Sequence, residues 1–159
     1  MSRMTTESPD VQTGLEISSM KIHKQIFIEA PIDIAFEAVL DQLGPESVMP
    51  DGKPFPFKLE AWPGGRWFRD LGNNTGHFWG HVQVIKPPKL IELSGPFMMS
   101  YAATNHAQYR LETEGKGTRL KFTHQAIGII PAEHRDGMPK GFEFWLERVR
   151  DLAERRKNR

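Results

Sequence analysis

The sequence contains no cysteine. That absence excludes disulfide frameworks, thiolate metal sites and cysteine nucleophiles. Net charge is nearly absent as well: 21 Lys and Arg stand against 20 Asp and Glu, leaving +1. So even a balance creates no field to recruit nucleic acid, and no nucleic-acid partner is expected. No apolar run nears the ~20 residues that span a bilayer. The first ten residues, MSRMTTESPD, lack the apolar stretch of a signal peptide, so no membrane anchor is expected and the cytoplasm is the expected location. Nucleophile-elbow, phosphate-loop and dinucleotide motifs are missing, and no cofactor is expected. His77 and His81 have a spacing that suits zinc on a helix, but they fall on a strand, where four residues span ~13 Å, so no metal site is expected.

What remains is a chain of one-domain length. Its 159 residues are 38% hydrophobic and 26% charged, a globular composition, and a chain of this size buries roughly 68–70% of its unfolded surface. Met1 to Met20 is polar and aperiodic and reads as a mobile leader; the single domain runs from residue 21 to 157. Lys21–Glu29 reads as a strand with Ile22, Ile26 and Ile28 on one face. Pro31 opens a helix whose Ile32, Ala35, Phe36, Val39, Leu40 and Leu43 recur at helical spacing until Gly44-Pro45. The segment from Pro45 to Pro56 holds four prolines and reads as a loop. Strands follow over 57–62, 66–71, 75–86, 89–94, 100–113 and 118–127. A turn-rich approach over 131–141 leads to a closing helix from Phe142 to about Lys157. Runs of strands bounded by helices predict an α+β fold with helices on one face of an antiparallel sheet.

The last hairpin can be given a register. Closing it at Glu114–Gly117 pairs Thr113 with Thr118, Leu111 with Leu120, Tyr109 with Phe122, Ala107 with His124 and Asn105 with Ala126, all on one face. His106, Gln108, Arg110, Glu112, Lys121 and Thr123 fall on the other, wet face. Small residues (Ala103, Ala107, Ala126) on the inner face leave room, among polar Tyr101, Asn105, Tyr109 and His124. Such a face lines a ligand pocket unless the closing helix fills it through Phe142 and Trp145. In the preceding hairpin, an Asn73-Asn74 turn would put Trp67, Arg69 and Leu71 on a face with Phe78, Val82 and Val84. An inward Arg69 must be paired or line a cavity; an outward one would be a snorkelling surface residue. Trp79 would then lie on the exposed face, as a contact for a homodimer.

Four stretches in this order carry a resemblance: Glu29-Ala30-Pro31, Pro63-Gly64-Gly65-Arg66-Trp67-Phe68, Gly80-His81-Val82 leading to Pro87-Pro88-Lys89-Leu90, and Gly141-Phe142. Together they resemble the SRPBCC (START-like, birch-pollen-allergen-like) superfamily, and within it the branch related to activators of the heat-shock chaperone ATPase. The resemblance covers roughly Lys21 to Glu154. It implies a helix-grip fold: a curved antiparallel sheet of about six to seven strands around a long C-terminal helix, with a deep cavity between them. It also implies a lining, drawn from Trp67, Arg69 and Phe78, from Tyr101, Asn105, Tyr109, Phe122 and His124, and from Phe142 and Trp145.

Three functions are compatible with this reading. The first is binding of a small apolar or amphipathic molecule, lipid- or polyketide-like. The second is a cyclase- or hydrolase-type enzyme using the same cavity, with His124 as candidate catalytic acid or base. The third is a chaperone-associated interaction module. Members that activate the chaperone carry a separate chaperone-binding domain, for which this chain has no room, so the first reading leads.

Overall fold

The computed structural model describes residues 10–158. The chain runs β1 (Ser18–Ile28), α1 (Ile32–Gln42), β2 (Lys58–Leu59), β3 (Arg66–Gly72), β4 (Thr75–Lys86), β5 (Leu90–Gly95), β6 (Ala103–Glu114), β7 (Gly117–Gly128) and α2 (Ala132–Arg156). The seven strands form one antiparallel sheet in the order β1-β7-β6-β5-β4-β3-β2. Strand β1 therefore lies at one edge and β2 at the other. Helix α1 and the proline-rich loop carry the chain between them, and α2 packs against α1 and β1. This is the expected α+β helix-grip architecture.

The register of β6 and β7 is the one the alternation dictates. Leu111 faces Leu120, Tyr109 faces Phe122, Ala107 faces His124 and Asn105 faces Ala126. The strands extend one pair further than expected, to Glu114 and Gly117, leaving only Gly115-Lys116 in the turn. Gly115 takes a φ of 59° there, a value glycine adopts without penalty. On the outer face, Glu92 accepts hydrogen bonds from His106 at 3.0 Å and Gln108 at 2.9 Å.

The β3–β4 hairpin departs from simple alternation. Its turn is Asn73-Asn74, both residues with positive φ, as a two-residue hairpin turn requires. One register shift lies between Asp70 and Gly72, and a second between Trp67 and Phe68 leaves Trp79 unopposed. Between the shifts every pair is displaced by one residue, and displacement by one residue exchanges faces. Phe68 consequently pairs with Phe78, and Phe78 is exposed. Trp79 turns inward and is buried, the reverse of the expected exposed dimer face. Trp67 is inward, as expected.

Other boundaries move for local reasons. Of the strand expected over 57–62 only Lys58–Leu59 pairs with β3, and Phe57 just before it is buried in the core. Strand β1 begins at Ser18, since Ser18, Ser19 and Met20 pair with Gly128, Ile127 and Ala126. The end of the expected leader thus belongs to the sheet; its Met1–Pro9 part lies outside the described residues. Helix α2 starts at Ala132, ten residues before Phe142, with Pro139 inside it. Proline has no N–H to donate to the carbonyl four residues back, so the first turns of α2 are the weaker part of the helix.

The helices are tied to the sheet and to each other by polar groups as well as by packing. Glu154 of α2 accepts from the Glu29 N–H, Thr118 donates to the Ala30 carbonyl, and Arg156 pairs with Asp41 at 2.6 Å. The buried Trp67 indole donates at 2.7 Å to the carbonyl of Leu43, just past the last turn of α1, where helix carbonyls lack intrahelical partners. Replacing Trp67 by Phe keeps a ring but orphans that buried carbonyl. Urea denaturation of Trp67→Phe should show a loss of about 1–3 kcal/mol from the lost hydrogen bond alone; stability within 0.5 kcal/mol of the parent would remove this bond from the account.

Candidate functional site

The concave face of the sheet meets α2 across a continuous run of aromatic rings. Phe57 lies 4.8 Å from Trp79 and 5.1 Å from Trp67, and Trp67 lies 5.2 Å from Trp79 and 5.2 Å from Phe97, centroid to centroid. Trp145 of α2 stacks on Trp79, and Phe142 joins it to His124 and Phe122. Tyr109 continues the run at 4.9 Å from Phe122. Most of these contacts are edge-on or tilted, the arrangements ring quadrupoles favour. Such rings occupy the space where a deep cavity was expected, and two surface depressions lie elsewhere. One of about 590 Å³ is on the outer face beside His106 and Gln125, and one of about 610 Å³ borders the β3–β4 turn.

Two polar side chains are buried within this apolar interior. Asn105 of β6 and His124 of β7 are both almost inaccessible. The Asn105 amide nitrogen donates to the carbonyls of Gly95 at 3.2 Å and Pro96 at 3.0 Å. Its oxygen lies 2.7 Å from His124 Nε2. The other ring nitrogen, Nδ1, is buried without a hydrogen-bond partner among the described residues. Phe142 lies 4.7 Å from the imidazole, and Phe97 stacks on it at 5.9 Å. Phe97 itself holds a φ of 55°, a strained backbone for a bulky side chain. Its N–H donates to the Trp79 carbonyl, which helps hold it there.

The remaining expected residues divide between rim and exterior. Arg69 points toward the interior edge, where its guanidinium sits 3.6 Å above the Phe55 ring and Nε donates to the Pro56 carbonyl. Its charge is thus met by a ring face and a carbonyl at the mouth of the ring run. Tyr101 lies just before the start of β6, where its hydroxyl bonds His134 Nδ1 in the first turn of α2. Phe78 is on the far side of the sheet, as described above. Sequence reasoning missed Trp79, Phe97, Phe57 and His134. Trp79 was lost to a register shift and Phe57 to a two-residue strand. The other two lie in irregular or unexpectedly helical segments, where alternation carries no information. Among the described residues no cluster of His, Asp and Glu could hold a metal ion, and no helix is long and apolar enough to cross a membrane.

Burial first, and His106 second, hold the His124 imidazole down to about 4, from an ordinary 6.5. The unfolded chain binds this proton near pH 6.5 and the folded chain resists it, so the unfolded state holds more protons between those values. Stability therefore falls as pH drops from about 6.5 toward 4, by up to about 1.4 kcal/mol per unit. Denaturation at pH 7.0 and 5.5 should show this slope in the parent and a flatter one in His124→Phe. Equal slopes would place the histidine in a wetter setting than the structure gives it.

Residues 29–154 match the family described as Activator of Hsp90 ATPase homolog 1-like protein. No curated protein matches the chain. Among solved structures, an uncharacterised protein from Rhizobium leguminosarum superposes with a TM-score of 0.68 at 19% identity, covering 88% of this chain and 97% of that one. Ara h 8.0201 superposes with a TM-score of 0.64 at 9% identity, covering 86% and 98%. The di-domain aromatase/cyclase StfQ of the steffimycin biosynthetic pathway gives 0.63 at 12% identity, over 89% of this chain and 52% of StfQ. These structural likenesses establish the fold, and the sequence match across most of the chain establishes the kinship. The chain belongs to the Activator of Hsp90 ATPase homolog 1-like family, within the SRPBCC superfamily.

Proposed function

We propose that the protein binds a small, largely apolar molecule between the concave face of the sheet and α2. The observation that carries this reading is the unpartnered His124 Nδ1, buried among aromatic rings. A buried acceptor left unmade costs about 1–3 kcal/mol, and a ligand group that bonds it recovers that loss. The rings supply the rest through apolar burial, at roughly 25 cal/mol per Å² removed from water.

Entry requires space that the rings now fill. The first turns of α2 are the element suited to yield. They contain Pro139, and Gly137 and Gly141 have no neighbouring atoms where a side chain would begin. The Tyr101–His134 hydrogen bond clasps this segment to the loop that carries Phe97. On this reading Tyr101 is a rim residue, and Asn105, Phe122, Phe142 and Trp145 surround the guest.

A catalytic reading is weaker on the same geometry. Proton transfer near neutral pH favours a base whose pKa lies close to the working pH, and the His124 imidazole is held down to about 4. The superposition on an aromatase/cyclase fits the binding of polyketide-like rings as readily as their cyclisation.

The test uses N-phenyl-1-naphthylamine, a neutral probe that fluoresces on leaving water. It should bind with one-to-one saturation and quench tryptophan emission by energy transfer, because Trp67, Trp79 and Trp145 all border the interior. Phe142→Ala, which opens room beside His124, should tighten it several-fold. No saturable binding to either protein would defeat the proposal.

A further inference from the structure

The hydrogen bond that His124 offers to the interior has its sense set by Asn105. Both Gly95 and Pro96 carbonyls lie within hydrogen-bond distance of one end of the Asn105 side chain. Only the NH2 end can face two carbonyl oxygens, since the reversed amide would set three oxygens against one another. The amide oxygen must therefore face His124, which it meets at 2.7 Å. An oxygen there accepts, so the proton of the neutral imidazole resides on Nε2. Nδ1 is left as a bare lone pair, and it is this atom that has no partner.

The strained backbone belongs to the same arrangement. The carbonyls that orient Asn105 are those of the two residues immediately before Phe97, whose φ is 55°. One short turn thus fixes the tautomer of His124 and also lays a ring against its imidazole. Strain persists where surrounding structure over-determines it, and here it places both components of one site.

From this we infer that the site selects a neutral hydrogen-bond donor, a phenol or alcohol on an apolar ring system, and rejects carboxylates, ketones and ethers at the His124 end. The inference rests on the binding reading above and goes further by naming the ligand's polar group. A ketone or ether oxygen would meet the Nδ1 lone pair with its own. A carboxylate would do the same and would also bury a charge, while Arg69 is engaged at the rim by the Phe55 ring and the Pro56 carbonyl. A hydroxyl satisfies Nδ1 and leaves its ring among Phe97, Phe142 and Trp145. Asn105 acts as a positioning residue, through His124 rather than on the ligand.

Two measurements on the full chain decide the matter. The first is two-dimensional ¹H–¹⁵N NMR of the histidine rings at neutral pH. It should show His124 neutral, with its proton on Nε2. A proton on Nδ1, or a charged ring, overturns the inference. The second compares 2-naphthol, 2-methoxynaphthalene and 2-naphthoate by calorimetry. The naphthol should bind at least about ten-fold more tightly than the ether, equivalent to ~1.4 kcal/mol, with the carboxylate weakest. In His124→Phe the naphthol and ether should become equal. If all three bind the parent alike, or the carboxylate binds best, the selectivity fails while the binding reading stands. If none binds, the binding reading falls and this inference falls with it.

Discussion

Everything in this molecule is organised by the need to close a curved sheet over a single helix. Seven antiparallel strands present one concave face, and α2, with 25 residues the longer of the two helices among the described residues, covers it. Its buried residues Met138, Phe142, Leu146, Val149 and Leu152 step by four and then by three, a single stripe along the helix. The sheet answers with small residues at Ala107 and Ala126 and large ones at Tyr109, Leu111, Leu120 and Phe122. Where the sheet is small, rings from other elements reach in, namely Phe97, Trp79, Phe57 and Trp145. Packing at interior density explains why those rings interlock edge to face rather than leave a void.

That closure gives the buried Asn105–His124 pair its character. In water both side chains would find partners anywhere. Beneath α2 their choices reduce to each other and to the turn at Gly95–Phe97. The low dielectric that makes each bond strong also makes the missing one at Nδ1 expensive. The unsatisfied nitrogen sits beside a network that does satisfy the Asn105 amide and the other ring nitrogen. The family relationship is consistent with a ligand-holding interior, while the polar group proposed for the ligand rests on this chain's own Asn105 and His124.

The two ends of α2 are held differently. Its C-terminal half is fastened to α1 and β1 through Arg156–Asp41, Glu154–Glu29 and Lys157–Glu29. Its N-terminal half contains proline and is clasped by Tyr101 and His134. On the proposed reading, the N-terminal half is the part that would yield to a guest while the C-terminal half keeps the fold. Local opening of this kind draws on the least stable part of a structure.

Much of the fold was legible in the residues. Period-two alternation from Asn105 to Ala126 set the β6–β7 register, because one buried face leaves only one acceptable pairing. The motifs around Ala30-Pro31, Gly64-Gly65, Pro87-Pro88 and Gly141-Phe142 pointed to the superfamily, and the inner position of Asn105, Tyr109 and His124 followed from counting. Alternation could not reveal a register shift, which inserts a residue without changing composition; hence Phe78 was expected inside and Trp79 outside. Nor could it foresee the helix running through Pro139, since packing of Met138 and Phe142 outweighs the local preference to break there. The bond that gives the site its meaning, from Asn105 to the carbonyls before Phe97, joins residues nine and ten apart through a strained turn. Local propensity determined most of the strands, the hairpin turns and the faces of β6 and β7. Only the tertiary structure decided which ring fills which gap and which nitrogen of His124 is left without a partner, because those outcomes depend on distances between elements that no local preference encodes.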